Sequence, residues 1–307
     1  MTPGVLALVL GAAVAHAVWN LAAKTVAGRG YAFVLAYHGL SALLLAPVAI
    51  WLVASGQQSI DGSLLAAALL SALLHIGYSV SLQAGYDHAP LGVVYPSARG
   101  IGPVLTIIVA VTVLGERLTG VEIIGALTVL AGIAVVTVRP RGRDHPPGPA
   151  HLPSRDHASG GVARGLAWGG LIGTFIAGYT LWDDFAVNHV TTSPLLYFAV
   201  SEAVVACLMG AGLVTLPGGR ARRADLRAVV GEHRWALVTV AVLSPLAYLL
   251  VLYAMQSAPV ALVAPVRETS IIIGTLLAWW LFGERNIAAK LTGAVIVVGG
   301  IGLIALG

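Results

Sequence analysis

The sequence predicts an all-α polytopic membrane protein, with about ten transmembrane helices arranged as two inverted five-helix repeats. Three observations carry this expectation. Of the 307 residues, 58% are hydrophobic and 10% charged, whereas soluble domains carry about 25% charged residues. Apolar runs of bilayer-spanning length, about 20 residues each, recur from end to end. The chain also repeats itself. Ala89-Pro90 and Pro96 match Ala258-Pro259 and Pro265. After one residue of slippage, Gly115-Glu116-Arg117 match Gly283-Glu284-Arg285, and Gly125 and Gly132 match Gly293 and Gly300. Internal duplication of this kind fixes the architecture before any single helix is considered.

Breakers and run lengths place spans at roughly 4–26, 31–54, 63–86, 91–114 and 119–138 in the first half. In the second half they fall at 164–186, 193–216, 235–256, 259–282 and 287–306. Helices are required because hydrocarbon offers no partner to free backbone groups, and the alternating ten-residue strands of a barrel are absent. The corresponding domains are a first repeat over 1–138, a flexible basic linker over 139–163 and a second repeat over 164–307. The linker is rich in Pro, Gly, Arg and His; its His145, His151 and His157 lack the spacing of a metal site. Small residues such as Gly125, Gly132 and Gly300 should let helix backbones approach closely.

Polar residues inside the spans are the candidates for function. The first span holds His16, Trp19, Asn20 and Lys24 on one helical face, and the sixth holds Tyr179, Trp182 and Asp183 at the same spacing. Trp19 aligns with Trp182 and Asn20 with Asp183. A site-lining role competes here with interhelical hydrogen bonding and interfacial tryptophan anchoring; Lys24, near a span end, could simply snorkel. The fourth span carries Tyr95 and Arg99, and the ninth carries Arg267 and Glu268, with Glu268 aligned to Arg99. Ionisable groups in a span are costly unless paired or facing a wet cavity. The alternatives are a substrate site and an internal Arg–Glu pair. Pro96 and Pro265 should loosen the backbone beside these residues. His75, Tyr78, Glu202, Tyr248 and Tyr253 are further polar marks of lower weight, with Glu202 open to proton exchange or to pairing with an arginine.

Charge placement bears on topology. The odd-numbered connections hold nearly all the Lys and Arg, and the even ones only Arg117. The positive-inside rule then puts the odd connections in the cytoplasm and both termini outside. Five spans per half, an odd number, make the second half inverted relative to the first. The 17 Lys+Arg against 13 Asp+Glu are spent on topology, and no nucleic-acid partner is expected. The single Cys207 excludes an internal disulfide. The start lacks the basic region of a cleavable signal, so the first run reads as a retained helix. No nucleotide-binding loop or hydrolase motif is present, and neither an enzyme nor a cofactor is expected.

HAVWNLAAK at 16–24, the AP and GER motifs of both halves and the glycine-patterned last span resemble the EamA-type members of the drug/metabolite transporter superfamily. The resemblance covers nearly the whole chain except the two basic connections. It implies ten helices around a central cavity lined by the first, third and fourth spans of each half, working by alternating access. Members are often exporters of amino acids, drugs or other metabolites, driven by ion gradients or acting as facilitators or exchangers. HAVWN together with YPSARGIGP at 95–103 further resembles a subgroup associated with phosphonate utilisation, which suits arginine as an anion partner. The family generally has cytoplasmic termini and a basic tail, whereas this chain ends in LIALG and its charges favour external termini.

The resulting expectation is a secondary-active transporter, most readily an exporter, of small polar or zwitterionic metabolites in a bacterial plasma (inner) membrane. His16, Trp19, Asn20, Tyr95, Arg99, Tyr179, Trp182, Asp183, Arg267 and Glu268 are its candidate substrate-binding residues. Arg99 and Arg267 would attract an anionic group, Trp19 and Trp182 would supply flat walls, and Glu268 or Asp183 would exchange a coupling proton. The partners expected are a small-molecule substrate and the lipid bilayer, with a homodimer left open. A flippase for a lipid-linked head group, a membrane-embedded enzyme using His16 or His75, and a passive channel are the alternatives.

Overall fold

The structure is a computed structural model that describes all residues except 24, 27–28, 90, 138–154, 192, 216–217 and 283–286. Twelve α-helices and one π-helical turn (Ala186–Val190) account for nearly all the described residues, and no strand occurs among them. The first half comprises α1 (Pro3–Ala23), α2 (Gly30–Ala54), α3 (Gly62–His88), α4 (Leu91–Thr112) and α5 (Gly120–Thr137). The second comprises α6 (Arg155–Phe185), α7 (Pro194–Thr215), α8 (Gly219–Glu232), α9 (Arg234–Met255), α10 (Val260–Arg267), α11 (Ser270–Phe282) and α12 (Ile287–Leu306).

Helices α1, α2, α3, α4, α7 and α9 are long and apolar enough to cross a membrane, and α5 and α12 are shorter apolar helices. The ninth span is divided into α10 and α11, and α6 carries two aspartates near its end. All ten expected spans are therefore helical, as two five-span repeats. Large apolar side chains face outward, among them Leu43 at 71% and Val295 at 72% exposure. Such a surface is stable only against lipid.

Helix pairing follows a two-fold relation between the repeats. α2 packs on α7, and α5 packs on α12. α1 lies against α9 as α6 lies against α3, and α4 lies against α6 as α10 and α11 lie against α1. The duplicated glycines build the α5–α12 crossing. A Cβ on Gly125 would stand 2.9 Å from the Gly300 carbonyl, and one on Gly132 would stand 2.8 Å from the Gly293 carbonyl. Each glycine of one half thus meets a glycine of the other, in the order an inverted repeat demands.

Helix ends follow local chemistry. Asp61 caps α3 by accepting the Leu64 N–H at 2.8 Å, and this bond with that of Ser63 holds its carboxyl below the usual range. At the start of α5, Thr119 and Glu122 form a reciprocal capping box, Glu122 accepting the Thr119 N–H at 2.8 Å and Thr119 accepting the Glu122 N–H at 3.2 Å.

Two expectations need correction, and one connection holds an additional helix. Residues 155–163, expected within a flexible linker, are the first turns of α6. The connection after the seventh span contains α8, whose few apolar positions between arginines hide a helical face. Of the two prolines expected to loosen the backbone, only Pro265 precedes a break; α4 runs unbroken through Pro96. After Pro265 the chain tightens, with Glu268 N–H donating to Pro265 at 3.2 Å, Thr269 to Val266 at 3.1 Å and Ile271 to Glu268 at 3.0 Å. These are three-residue turns, and they separate α10 from α11.

Close approach at α5–α12 predicts that Gly132→Ala lowers stability, by about 1–3 kcal/mol for overpacking. Gly302→Ala, which would meet nothing within 4 Å, should leave it unchanged or slightly raised. Thermal unfolding of the two variants in one detergent checks the contrast. Equal behaviour would remove the glycine contact from the account.

Candidate functional site

The polar residues of the spans converge where the two halves meet. Arg99 on α4 donates through Nη1 to both oxygens of Glu268, at 3.0 and 3.3 Å. Arg267 approaches the same carboxylate through Nη2 at 3.5 Å. Arg99 and Glu268 are aligned positions of the two repeats, so their contact lies where a two-fold axis between the halves must pass. Glu268 is 1% exposed. Two guanidinium groups thus share one buried carboxylate.

Local structure delivers these groups. Glu268 sits at the C-terminal end of α10, in the turn that ends the helix. Every residue of α10 is buried, and its other end is held by Glu116 of the first half's GER motif. Glu116 accepts the Val260 N–H at 2.7 Å and the Ala261 N–H at 3.1 Å, two of the donors a helix start leaves free. The second copy of the motif, Gly283-Glu284-Arg285, lies outside the described residues.

Aromatic rings line this charge cluster. The Arg99 guanidinium stands 5.5 Å from the Tyr95 ring centre, and that of Arg267 stands 5.9 Å from the Tyr179 ring. Tyr179 stacks on His75 at 4.3 Å and meets Tyr78 edge-on at 5.8 Å. On α1, the His16 ring packs edge-on against Trp19 at 4.7 Å. Among the described residues, His16 Nε2 and Trp19 Nε1 are buried and find no hydrogen-bond partner, and neither do the hydroxyls of Thr180 and Thr269.

A second anionic centre lies beyond Tyr179. Asp183 is fully buried; Tyr197 donates to its Oδ1 at 2.6 Å and Tyr248 donates to its Oδ2. His75 Nε2 stands 4.0 Å from the same carboxylate. Asp183 is thereby enclosed by hydroxyl donors, while Tyr179 and His75 join this cage to the arginines.

Not every candidate reaches the centre. The Asn20 amide turns back to its own helix, donating to the His16 carbonyl at 2.8 Å. Trp182 points to α3 and donates to the Ala67 carbonyl at 2.9 Å, so it braces two helices. Its aligned partner Trp19 has no such bond, and the two tryptophans are not equivalent. Lys24 lies outside the described residues. Asp184, next to Asp183, pairs instead with Asn188 at 3.1 Å. Glu202 pairs with His38 of α2 at 2.8 Å rather than with an arginine.

Tyr197 had no signal in the sequence, because it lies on another helix and belongs to no motif. His75, Tyr78 and Tyr248 were visible only as isolated polar residues. Among the described residues, no group of three His, Cys, Asp or Glu side chains could hold a metal ion. Chemically, the cluster can bind oxyanions through planar two-pronged donors and stack flat groups on tyrosine and histidine.

The Asp183 cage predicts that Tyr248→Phe costs about 1–3 kcal/mol, the penalty for depriving a buried acceptor of a donor. Tyr253→Phe, at a 40% exposed position, should be neutral. Unfolding in mixed micelles measures both; a neutral Tyr248→Phe would contradict the cage.

Comparison with known proteins agrees with this architecture. The family model described as the EamA-like transporter family matches residues 2–138 and again 163–306. No curated protein matches the chain. Among solved structures, one described only as "Crystal structure of protein" is similar over 100% of this chain and 98% of its own, with TM-score 0.73 at 17% identity. That likeness shows a shared fold. The two matches of the family model cover both halves of the chain, and the protein belongs to the EamA-like transporter family.

Proposed function

We propose that this protein is a secondary-active exporter of small polar or zwitterionic metabolites carrying an anionic group, working by alternating access. Family membership makes it a membrane transporter; the substrate class is read from the centre. One observation carries it: Arg99 and Arg267, both nearly buried, share the single carboxylate of Glu268. Among the described residues, Arg267 has no ion pair beyond the 3.5 Å approach to Glu268, so most of its five donors are free for a ligand. Among the described residues, the Thr269 hydroxyl, next to Glu268 in the turn after α10, is a further buried donor without a partner. A site so rich in donors favours a carboxylate, phosphonate or similar oxyanion.

The same geometry suggests how binding couples to movement. A substrate anion competes with Glu268 for the arginines, and a released Glu268 can take up a proton. Because Arg99 and Glu268 stand on opposite halves, weakening their contact frees one half to rock against the other. Asp183, enclosed by two tyrosines, serves in this reading as scaffold for Tyr179 and His75.

Ligand-dependent stability tests the substrate class. A ligand of the native state at 100 times its Kd raises stability by about 2.7 kcal/mol. Anionic or zwitterionic amino acids and phosphonates should raise the melting temperature of the wild type but not of Arg267→Gln, and the same compounds should be carried in proteoliposomes. Stabilisation by hydrophobic cations alone, unaffected by Arg267→Gln, would contradict this reading.

A further inference from the structure

Among the described residues, α8 is the α-helix that the ten-span plan does not need. It joins the end of α7 to the start of α9 and packs beside the first turns of α2, so it lies at the membrane face where these three spans end. Glu232 at its end pairs with Arg29 before α2 at 2.8 Å, which lowers the Glu232 carboxyl below its usual range. The helix is tied down along one side. Val229 is fully buried and Leu226 packs in the same small core with Phe33 and Val240.

The opposite side is cationic. Arg220, Arg223 and Arg227 follow the i, i+3, i+7 spacing, which keeps them within about 60° of one another around the helix. All three are exposed. Among the described residues, none of them makes an ion pair. Arg222 lies on the packed side against Tyr31, 4.8 Å from its ring, and its buried Nη1 has no partner among the described residues. Val230, beside the stripe and 53% exposed, and Trp235, 75% exposed just beyond the helix, put apolar surface next to these charges. Water alone does not favour that combination. A bilayer interface does, because tryptophan and aliphatic groups sit at head-group depth while arginines reach phosphate.

We propose that α8 is a membrane-surface helix whose Arg220, Arg223 and Arg227 bind the phosphates of anionic phospholipid head groups. The occupant follows from charge complementarity and from position: the stripe sits at the ends of three membrane spans, within the reach of the bilayer's own anionic field. Guanidinium groups engage phosphate oxygens two at a time. The lipid thus fixes the connection between α7 and α9 against the membrane plane while the spans themselves move.

The full chain in nanodiscs tests this, with phosphatidylcholine alone compared against phosphatidylcholine containing phosphatidylglycerol. Melting temperature and lipids retained in native mass spectrometry are the readouts. The wild type should melt higher with phosphatidylglycerol and retain it in preference, and added salt should weaken the preference. The R220Q/R223Q/R227Q variant should match the wild type in phosphatidylcholine and lose both effects. Should that variant fail to fold, R223Q alone should retain less phosphatidylglycerol than the wild type. An unchanged lipid preference in the variants overturns the proposal. So does equal melting of the wild type in both lipids, or a stabilisation that inorganic phosphate reproduces in phosphatidylcholine.

Discussion

The structure depends on three full charges meeting inside a lipid-embedded protein. Arg99, Arg267 and Glu268 are each 11% exposed or less at the side chain. At 3 Å and an effective dielectric of 20, one such contact gains about 5–6 kcal/mol, against a desolvation penalty of several kcal/mol per ion. The contact therefore roughly breaks even as a stabiliser, and an apolar pair would hold the halves together as well. In the proposed transport cycle the pair has a use an apolar pair lacks: its arginines offer donors to a charged ligand, and the contact re-forms when the ligand leaves. The cost is consistent with a working site rather than a structural rivet.

Much of the surrounding structure keeps that contact in place. α10 is wholly buried, and it is short because Glu116 closes one end and the turns after Pro265 close the other. α5 and α12 meet backbone to backbone at their glycines, which joins the two halves at a second place. The Asp183 cage holds Tyr179 between α3 and α9, so the ring that faces Arg267 cannot drift. Each brace joins one repeat to the other or one span to its neighbour, and none is covalent.

The spans were legible because each is a continuous apolar run, and the repeat because its glycines and charges recur at fixed offsets. The Arg99–Glu268 alignment placed both residues at equivalent depths, and equivalent depths near a two-fold axis become contacts. Helix α8 was illegible for the opposite reason: Leu226 and Val229 supply too short a stripe among four arginines to mark a helix. Tyr197 could not be found because its link to Asp183 is made in space between two helices. Trp19 and Trp182 show the limit of reading from duplication. Aligned residues share a depth, but Trp182 reaches the Ala67 carbonyl, while Trp19 has no such acceptor among the described residues.

The two-fold relation makes one measurement decisive. Exchanging the charges, Arg99→Glu with Glu268→Arg, preserves the contact across the axis while reversing its direction. Each single change leaves like charges facing one another in a buried site, with a loss of about 3–5 kcal/mol for a broken buried pair. Thermal unfolding of both singles and the double in one detergent reads the outcome. The account predicts a double that recovers most of the stability lost by either single. A double no more stable than the worse single would show that Arg99 and Glu268 do not face one another across the axis.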